Sequence, residues 1–264
     1  MSKIIAICNQ KGGVGKTTTA VNLAASFAAM EKQTLLIDMD PQGNASQGIG
    51  YNEVQEEDIH EALDLAENPE AVTLEAIQKI IKPTSLKFMN VITAGPDLAS
   101  LEIELVNAMS RERRLERITN ILKPNYEFIV IDSPPSLNLL TLNTLTAADS
   151  VLIPVQCEYY ALQGLAELFN TIRLVQKNLN DHLKVEGALM TMYDARLSLS
   201  KQVVDEVRNC IQEKVFKTMI PRNVKLGEAP SHGKPVILYD VTSSGSQSYM
   251  NLAEEIINGD AGNG

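Results

Sequence analysis

A glycine-rich loop between an apolar segment and an alanine-rich helical pattern constrains the fold of this chain more than any other feature. The loop reads KGGVGKTT at residues 11–18 and follows the apolar segment 3–8. Glycines let backbone N–H groups turn inward around an anion, because no Cβ atom blocks the approach. The N-terminus of the following helix adds the positive end of its dipole. Strand, glycine loop and helix in this order predict a phosphate-binding loop.

Short apolar segments alternate with longer helical patterns along the 264 residues. Several apolar segments are continuous rather than alternating, as expected for strands buried on both faces of a parallel sheet. The pattern predicts an α/β fold, a doubly wound, mostly parallel sheet with helices on both faces. The predicted strands are 3–8, 34–38, 88–93, 128–132, 151–155, 185–190 and 215–220. The predicted helices are 17–30, 74–81, 98–107, 112–122, 139–147, 164–176, 201–213 and 247–257.

The domain organisation predicted from the sequence is simple. No segment rich in proline, glycine and serine divides the chain, so we predict a single domain over residues 1–264 with a frayed tail at 258–264. The sequence has no apolar run of about 18 residues or more, so we expect no transmembrane helix and a cytoplasmic location. Cys8, Cys157 and Cys210 lie far apart, and their spacing indicates neither a metal site nor a disulfide framework.

The charge of the chain is acidic but unevenly distributed. The formal net charge of −10 argues against a protein dedicated to nucleic acid, for which a basic balance is typical. Residues 184–240 contain nine Lys and Arg against seven Asp and Glu, a balance of +2, so the remainder carries −12. This distribution leaves room for a locally basic face on an acidic protein.

Two residues of the loop have side chains suited to a nucleotide. Lys16 can reach the β- and γ-phosphates, and the Thr17 hydroxyl can bind Mg²⁺. The common pattern GxxxxGK[ST] places glycine at position 10, where this chain has Gln10 with an extra lysine, Lys11, beside it. The nucleotide-binding residues predicted in the loop are Lys11, Gly12, Gly13, Val14, Gly15, Lys16, Thr17 and Thr18.

Two of the predicted strands lead into aspartates, and ligands of open α/β sheets bind at the carboxyl ends of strands. Asp132 ends the strand 128–132 and suits a partner of Mg²⁺, usually through water. Asp40 lies two residues beyond Asp38, at a place where it can orient an attacking water, whereas Asp38 can cap or brace the loop. For any one of these aspartates alone, a turn or cap role is equally open. The two aspartate segments together with the glycine loop favour a functional site.

The ordered set of motifs resembles the deviant Walker A ATPases, and more closely the ParA/Soj family of chromosome- or plasmid-partitioning ATPases. The resemblance covers nearly the whole chain, from residue 4 to about residue 257. The matching segments are residues 9–18, 38–44, 132–135, 153–156, 192–196, 220–226 and 228–235.

The resemblance implies ATP and Mg²⁺ as cofactors and a homodimer that encloses two ATP molecules. It implies catalytic roles for Lys11, Lys16 and Asp40, and a role for Asp132 in holding Mg²⁺ through water. Lys11 would reach across the two-fold interface to the partner's ATP, and Asp40 would position the hydrolytic water. A cation supplied by the partner stabilises transition-state charge. The adenine-side contacts implied by the resemblance are Pro221, Arg222 and Asn223.

The resemblance also implies that the ATP-bound dimer binds double-stranded DNA without sequence preference. Slow hydrolysis, stimulated by a ParB-type centromere-binding protein, would then release the DNA, and the protein would associate with the nucleoid. The DNA-contacting residues implied are Arg196 and Lys225, with Arg222 and Lys201 as further candidates. Lys225 replaces the arginine commonest in the family, which keeps the charge but loses the planar bidentate fork. For each basic residue alone, a solvated surface charge remains the alternative.

Three other functions are compatible with parts of the sequence. A MinD-like membrane ATPase, or another positioning ATPase of this kind with a non-DNA cargo, shares the loop, but residues 252–260 are acidic rather than basic. An iron–sulfur carrier of the nitrogenase iron-protein or Mrp type needs well-placed cysteines, which the three cysteines do not offer. A scaffold that binds ATP but scarcely hydrolyses it stays open. We expect no helix-turn-helix ahead of the loop, so centromere recognition should lie in a partner.

Overall fold

The computed structural model of this chain describes residues 2–105, 108–158, 164–211 and 214–261. The strands in this part of the chain are β1 (Lys3–Ile7), β2 (Thr34–Asp38), β3 (Lys82–Pro83), β4 (Met89–Ile92), β5 (Phe128–Asp132), β6 (Ser150–Gln156) and β7 (Lys184–Thr191). They form one sheet with the order β3-β4-β2-β5-β1-β6-β7. Neighbouring strands pair in parallel, except that β3 runs antiparallel to β4.

Helices connect the strands and cover the sheet. Those in the described residues are α1 (Lys16–Ala29), α2 (Asn44–Gly48), α3 (Ile59–Leu65), α4 (Leu74–Ile80), α5 (Leu98–Glu104), α6 (Arg114–Leu122), α7 (Leu139–Ala147), α8 (Leu165–Asn178), α9 (Ser198–Cys210), α10 (Val224–Glu228), α11 (Val236–Tyr239) and α12 (Ser244–Ala261). No helix in this part of the chain is long and apolar enough to cross a membrane.

Side chains of the central strands point alternately into two apolar cores, one on each face of the sheet. In β1, Ile4 belongs to one core and Ile5 to the other, and both are fully buried. Helices α3 to α9 contribute to the core of Ile4, whereas α1, α2, α11 and α12 contribute to the core of Ile5. Burial on both faces explains the continuous apolar strands, and it confirms the predicted doubly wound α/β fold.

The register of the parallel strands aligns their carboxyl ends at one edge of the sheet. Asp132 at the end of β5 pairs with Ile7 at the end of β1 on one side and with Asp38 at the end of β2 on the other. The glycine loop leaves β1 at the same edge. The central strands therefore place the loop and two aspartates side by side.

One of the seven predicted strands is wrong. Residues 215–220 form no continuous strand: Val215 makes an isolated bridge with Ala188 beside β7, and Ile220 bonds to the backbone of Met190 and Tyr193. The backbone N–H groups of Lys217 and Thr218 donate to the Glu255 carboxylate of α12 at 2.9 Å each, so they are not available to a β-ladder. The other six predicted strands are confirmed, with ends that agree within one residue.

The predicted helices differ from the observed ones mainly at their ends. The helix predicted over 247–257 runs from Ser244 to Ala261 and so enters the segment predicted as a frayed tail, whose residues 262–264 lie outside the described residues. Residues 106–107 and 212–213, in two other predicted helices, also lie outside them. The short elements α2, β3, α10 and α11 were not predicted, because two to five residues carry too little periodicity.

A bulge in β7 depends on Gly187. The register with β6 passes from Val185 to Gly187 and skips Glu186, and Gly187 has a φ of +152°. A Cβ atom on Gly187 would lie 2.9 Å from the Lys214 carbonyl oxygen and 2.9 Å from the Phe216 ring. Glycine at this position therefore allows the 214–216 segment to approach the sheet edge.

We predict that Gly187→Ala lowers the free energy of unfolding by about 1–3 kcal/mol, because the added methyl group meets backbone in a conformation that alanine disfavours. Urea unfolding monitored by circular dichroism measures this change. Gly227→Ala is the matched control, since a Cβ there has no atom within 4 Å, and its effect should stay below about 1 kcal/mol. Equal losses in the two variants would contradict the assignment to the close approach.

Candidate active site

The glycine loop has the backbone conformation expected of an anion cradle. Gly13 and Gly15 adopt φ values of +74° and +89°, in the left-handed region, and α1 begins directly afterwards at Lys16. A Cβ atom on Gly12 or Gly13 would have no atom within 4 Å, so the space above the loop is open. Open space beside turned backbone and a helix N-terminus is suited to phosphate oxygens.

Hydrogen bonds to residues of β6 and β7 hold the loop in place. The Thr191 hydroxyl at the end of β7 donates to the Val14 carbonyl at 2.8 Å, and both residues are buried. The Asn9 side-chain amide donates to the Pro154 carbonyl of β6 at 2.7 Å, and its oxygen accepts from the Lys11 N–H at 3.0 Å. These bonds fix the loop before any ligand binds.

Lys16 is buried at the start of α1, with 6% of its surface exposed. Its ammonium group donates to the Lys11 carbonyl at 3.2 Å. Burial lowers the pKa of Lys16, and the neighbouring carboxylates of Asp132 and Asp40 oppose that change. The loop therefore presents a desolvated cation next to its open face.

Asp132 is a fully buried carboxyl group beside Lys16. Neither of its oxygens has a hydrogen-bond partner among the described residues. Burial raises the pKa of Asp132 well above its usual range, and the Asp38 carboxylate raises it further. The Thr17 hydroxyl faces the group and opposes this rise, although its geometry falls short of a hydrogen bond. Such an orphaned buried carboxyl group is suited to a cation or to the water bound to one.

Asp38 and Asp40 lie beside Asp132 but are held differently. Asp38 accepts hydrogen bonds from the Ser46 hydroxyl at 2.8 Å, the Ser46 N–H at 2.9 Å and the Asp40 N–H at 3.1 Å. Burial raises the pKa of Asp38 to about 6, and the Ser46 bonds oppose this rise. Asp38 thus braces the loop after β2, one of the two roles open from the sequence. Asp40 is buried and accepts from the Gln42 N–H at 3.0 Å.

Lys11 has a partner within its own chain. Its ammonium group forms an ion pair with the Glu158 carboxylate beyond the end of β6. The side chains are 33% and 38% exposed, so solvent screens the pair. Lys11 also lines a surface cleft of 620 Å³ together with Gln10 and Gly164.

A cavity of 240 Å³ adjoins the loop on the side of β7. Gly15 and Thr18 form one wall, and Pro221, Arg222 and Asn223 form another. The structure therefore brings the predicted adenine-side residues next to the predicted phosphate loop, although more than 200 residues separate them in the sequence.

The basic residues predicted to contact DNA follow β7 in the sequence, and one of them, Arg222, lines this cavity. Arg196 is 88% exposed and pairs with Asp194 at 2.6 Å, while Lys225 pairs with Glu228 at 3.0 Å. The Arg196 hydrogen bonds lower the pKa of Asp194 to about 2, and the charge of the exposed Arg222 lowers it further. Arg196 thus pairs with Asp194, and the charge of Arg222 acts on the same carboxylate, whereas the exposed Lys201 lies in α9.

The sequence did not identify the residues that contact the predicted loop and the predicted DNA-binding residues. Glu158 and Thr191 contact the loop, and Asp194 and Glu228 pair with basic residues of the predicted DNA face. One signal was available for the first two, because Thr191 ends a strand and Glu158 follows one at the same edge as Asp132. Their contacts join segments more than 140 residues apart, which no local pattern records.

Comparison with known proteins agrees with this geometry. A family model described as an AAA domain matches residues 2–185. The chain is 54% identical over 258 residues to the sporulation initiation inhibitor protein Soj of Bacillus subtilis (strain 168), covering 97% of this chain and 98% of that protein. It is 53% identical over 261 residues to the chromosome partitioning protein ParA of Myxococcus xanthus (strain DK1622), covering 98% and 89%.

Among solved structures, cobyrinic acid a,c-diamide synthase from Mycobacterium smegmatis with bound ADP and magnesium has a TM-score of 0.82 at 33% identity. The match covers 96% of this chain and 93% of that chain. Because the Soj and ParA relatives are more than half identical to this chain and align over almost their whole lengths, the chain belongs to the ParA/Soj family of chromosome-partitioning ATPases.

Proposed function

We propose that this chain is a DNA-segregation ATPase whose ATP-bound homodimer binds DNA and leaves it after hydrolysis stimulated by a ParB-type partner. The observation that carries the proposal is the meeting of an open glycine loop, the buried Lys16 and the orphaned Asp132 at one sheet edge. The names of the Soj and ParA relatives support the biological setting. The proposed location is the cytoplasm, in association with the nucleoid.

ATP would bind with its phosphates in the loop. The backbone N–H groups of Gly12 to Thr18 would donate to the phosphate oxygens at the open face, and Lys16 would supply the positive charge. The base would lie in the 240 Å³ cavity against Pro221, Arg222 and Asn223. The synthase of similar fold that binds ADP and magnesium supports an adenine nucleotide and Mg²⁺ as the ligands.

The residues present are suited to Mg²⁺. The buried carboxyl group of Asp132, which accepts no hydrogen bond from the described residues, and the Thr17 hydroxyl beside it are hard oxygen ligands. The described residues contain no group of three or more His, Cys, Asp or Glu side chains that could hold a metal, so phosphate and water would complete the coordination. When bound, the ion neutralises charge on the phosphates.

Asp40 is the residue we propose to orient the attacking water. Its carboxyl group is buried, close to Lys16 and Asp132, and is held by the Gln42 N–H. Asp38 is less suited to this role, because three hydrogen bonds already occupy its oxygens. Slow turnover follows if hydrolysis waits for a partner to complete the site.

Dimer formation would require Lys11 to exchange partners. In the single chain its ammonium group pairs with Glu158, and in the proposed dimer it would contact the phosphates of the partner's ATP. The exposed ion pair contributes little, so its loss costs little compared with a charge-assisted contact to phosphate. The surface cleft at Lys11 leaves the residue accessible to a second subunit.

The DNA face we propose consists of Arg196, Lys201, Arg222 and Lys225. Asp194 and Glu228 neutralise part of its charge, which would keep the single chain weakly bound. A dimer doubles every contact, and counterion release then gives salt-sensitive binding without sequence preference. The last helix does not favour the membrane alternative, since Leu252 and Ile256 of α12 are fully buried in the core beside α1.

We predict that Lys16→Ala abolishes ATP binding, because the loop loses its phosphate-facing charge. Isothermal titration calorimetry with a non-hydrolysable ATP analogue and Mg²⁺ measures the loss. Lys177→Ala, on the exposed face of α8, is the control and should bind as the wild type does. Retained affinity in Lys16→Ala would contradict the assignment of the phosphate loop.

We predict that Asp40→Ala lowers ATP hydrolysis by about 10²-fold or more while ATP binding persists. The variant should accumulate as an ATP-bound dimer on DNA, which size-exclusion chromatography and DNA binding with ATP against ADP would detect. Asp181→Ala is the control, since that side chain is 83% exposed at the opposite edge of the sheet. Normal turnover in Asp40→Ala would remove the residue from the proposed mechanism.

We predict that substitutions of the two members of the Lys225–Glu228 ion pair change the affinity for DNA in opposite directions. Lys225→Ala should weaken DNA binding in ATP and reduce its salt dependence, since a phosphate contact is lost from each subunit. Glu228→Gln should strengthen binding, because it frees the Lys225 charge. Fluorescence anisotropy over a series of salt concentrations measures both. Unchanged affinity in both variants would exclude this pair from the DNA face.

A further inference from the structure

Thr191 is buried at the end of β7, and its hydroxyl donates to the Val14 carbonyl at 2.8 Å. The peptide group that carries the Val14 carbonyl also carries the Gly15 N–H. In a planar trans peptide the two groups point in opposite directions. A carbonyl held toward β7 therefore directs the Gly15 N–H away from β7.

Other contacts hold the backbone of Thr191 in place. Its carbonyl accepts from the Cys157 N–H at 3.0 Å, and the next residue, Met192, adopts a φ of +51° that is unusual for a non-glycine residue. Met192 also lines the cavity in which the base would lie. Thr191 lines the same cavity, so the residue whose hydroxyl bonds to the loop is also part of the proposed nucleotide site.

The same segment continues into the proposed DNA face. The Tyr193 N–H donates to the Ile220 carbonyl at 3.0 Å, and the Arg222 N–H donates to the Tyr193 carbonyl at 3.1 Å. Arg196 lies three residues after Tyr193. Backbone hydrogen bonds therefore connect the end of β7 to the strand-like segment that carries Arg222.

We propose that Thr191 is a positioning residue that orients the Gly15 N–H toward the nucleotide and couples occupancy of the loop to the DNA face. The inference rests on the proposed function, because it assumes that ATP binds in the loop and DNA at Arg196 and Arg222. Coupling between two binding sites is reciprocal. If ATP raises the affinity for DNA, DNA must raise the affinity for ATP by the same factor.

The test compares Thr191→Val, which keeps the shape but removes the donor, with Thr191→Ser, which keeps a hydroxyl. The affinity for a non-hydrolysable ATP analogue is measured by calorimetry, with and without a short DNA duplex. We expect Thr191→Val to weaken ATP binding about 5- to 10-fold, the cost of one lost buried hydrogen bond. We also expect DNA to tighten ATP binding less than in the wild type. Thr191→Ser should restore both properties.

Thr146→Val is the matched control, because the Thr146 hydroxyl is a buried donor to the Leu142 carbonyl at 2.7 Å in α7, outside the loop. Equal ATP affinity in Thr191→Val and the wild type would overturn the positioning role, and so would an equal loss in Thr146→Val. Undiminished tightening by DNA in Thr191→Val would overturn the coupling. Failure of the wild type itself to bind the analogue, or to respond to DNA, would instead refute the proposed function.

Discussion

The parallel register of β1, β5 and β2 is the constraint on which the rest of the site depends. It places Asp132 opposite Ile7 and Asp38, so the loop that leaves β1 meets two buried carboxyl groups without any further arrangement. The strands keep this register because their side chains are buried in two cores, and a slip by one residue would exchange the faces of the sheet. Packing of the core thus sets the positions of the loop and of the two carboxyl groups.

Burial explains the electrostatic character of the site. Lys16, Asp38 and Asp132 lie where water cannot solvate them, so the pKa of the lysine is lowered and those of the aspartates are raised. Asp38 is compensated by Ser46 and the Asp40 N–H, whereas the oxygens of Asp132 have no partner among the residues described. A folded protein whose buried charged groups lack partners is stabilised when a bound ligand supplies the missing contacts.

Local patterns predicted the strands and the loop well, since burial on both faces leaves continuous apolar runs such as 34–38 and 128–132. The segment 215–220 has the same apolar character, yet it forms no strand, because Glu255 binds two of its N–H groups. Local patterns could not predict the Lys11–Glu158 and Thr191–Val14 contacts either, since these contacts join residues far apart in the chain. Patterns report which face a residue prefers, but not which distant group it contacts.

The sequence by itself determined the alternation of strands and helices, the glycine loop with Lys11 and Lys16, and the aspartates at the strand ends. These properties depend on residue type and spacing over a few turns of chain, which periodicity and backbone preference record. Only the tertiary structure decided that Asp132 has no hydrogen-bond partner among the described residues, that Glu158 pairs with Lys11, and that Thr191 supports the loop beside the predicted DNA face. Those facts depend on strand order and packing, because the hydrogen bonds and ion pairs of a buried group are set by the segments that the fold brings together.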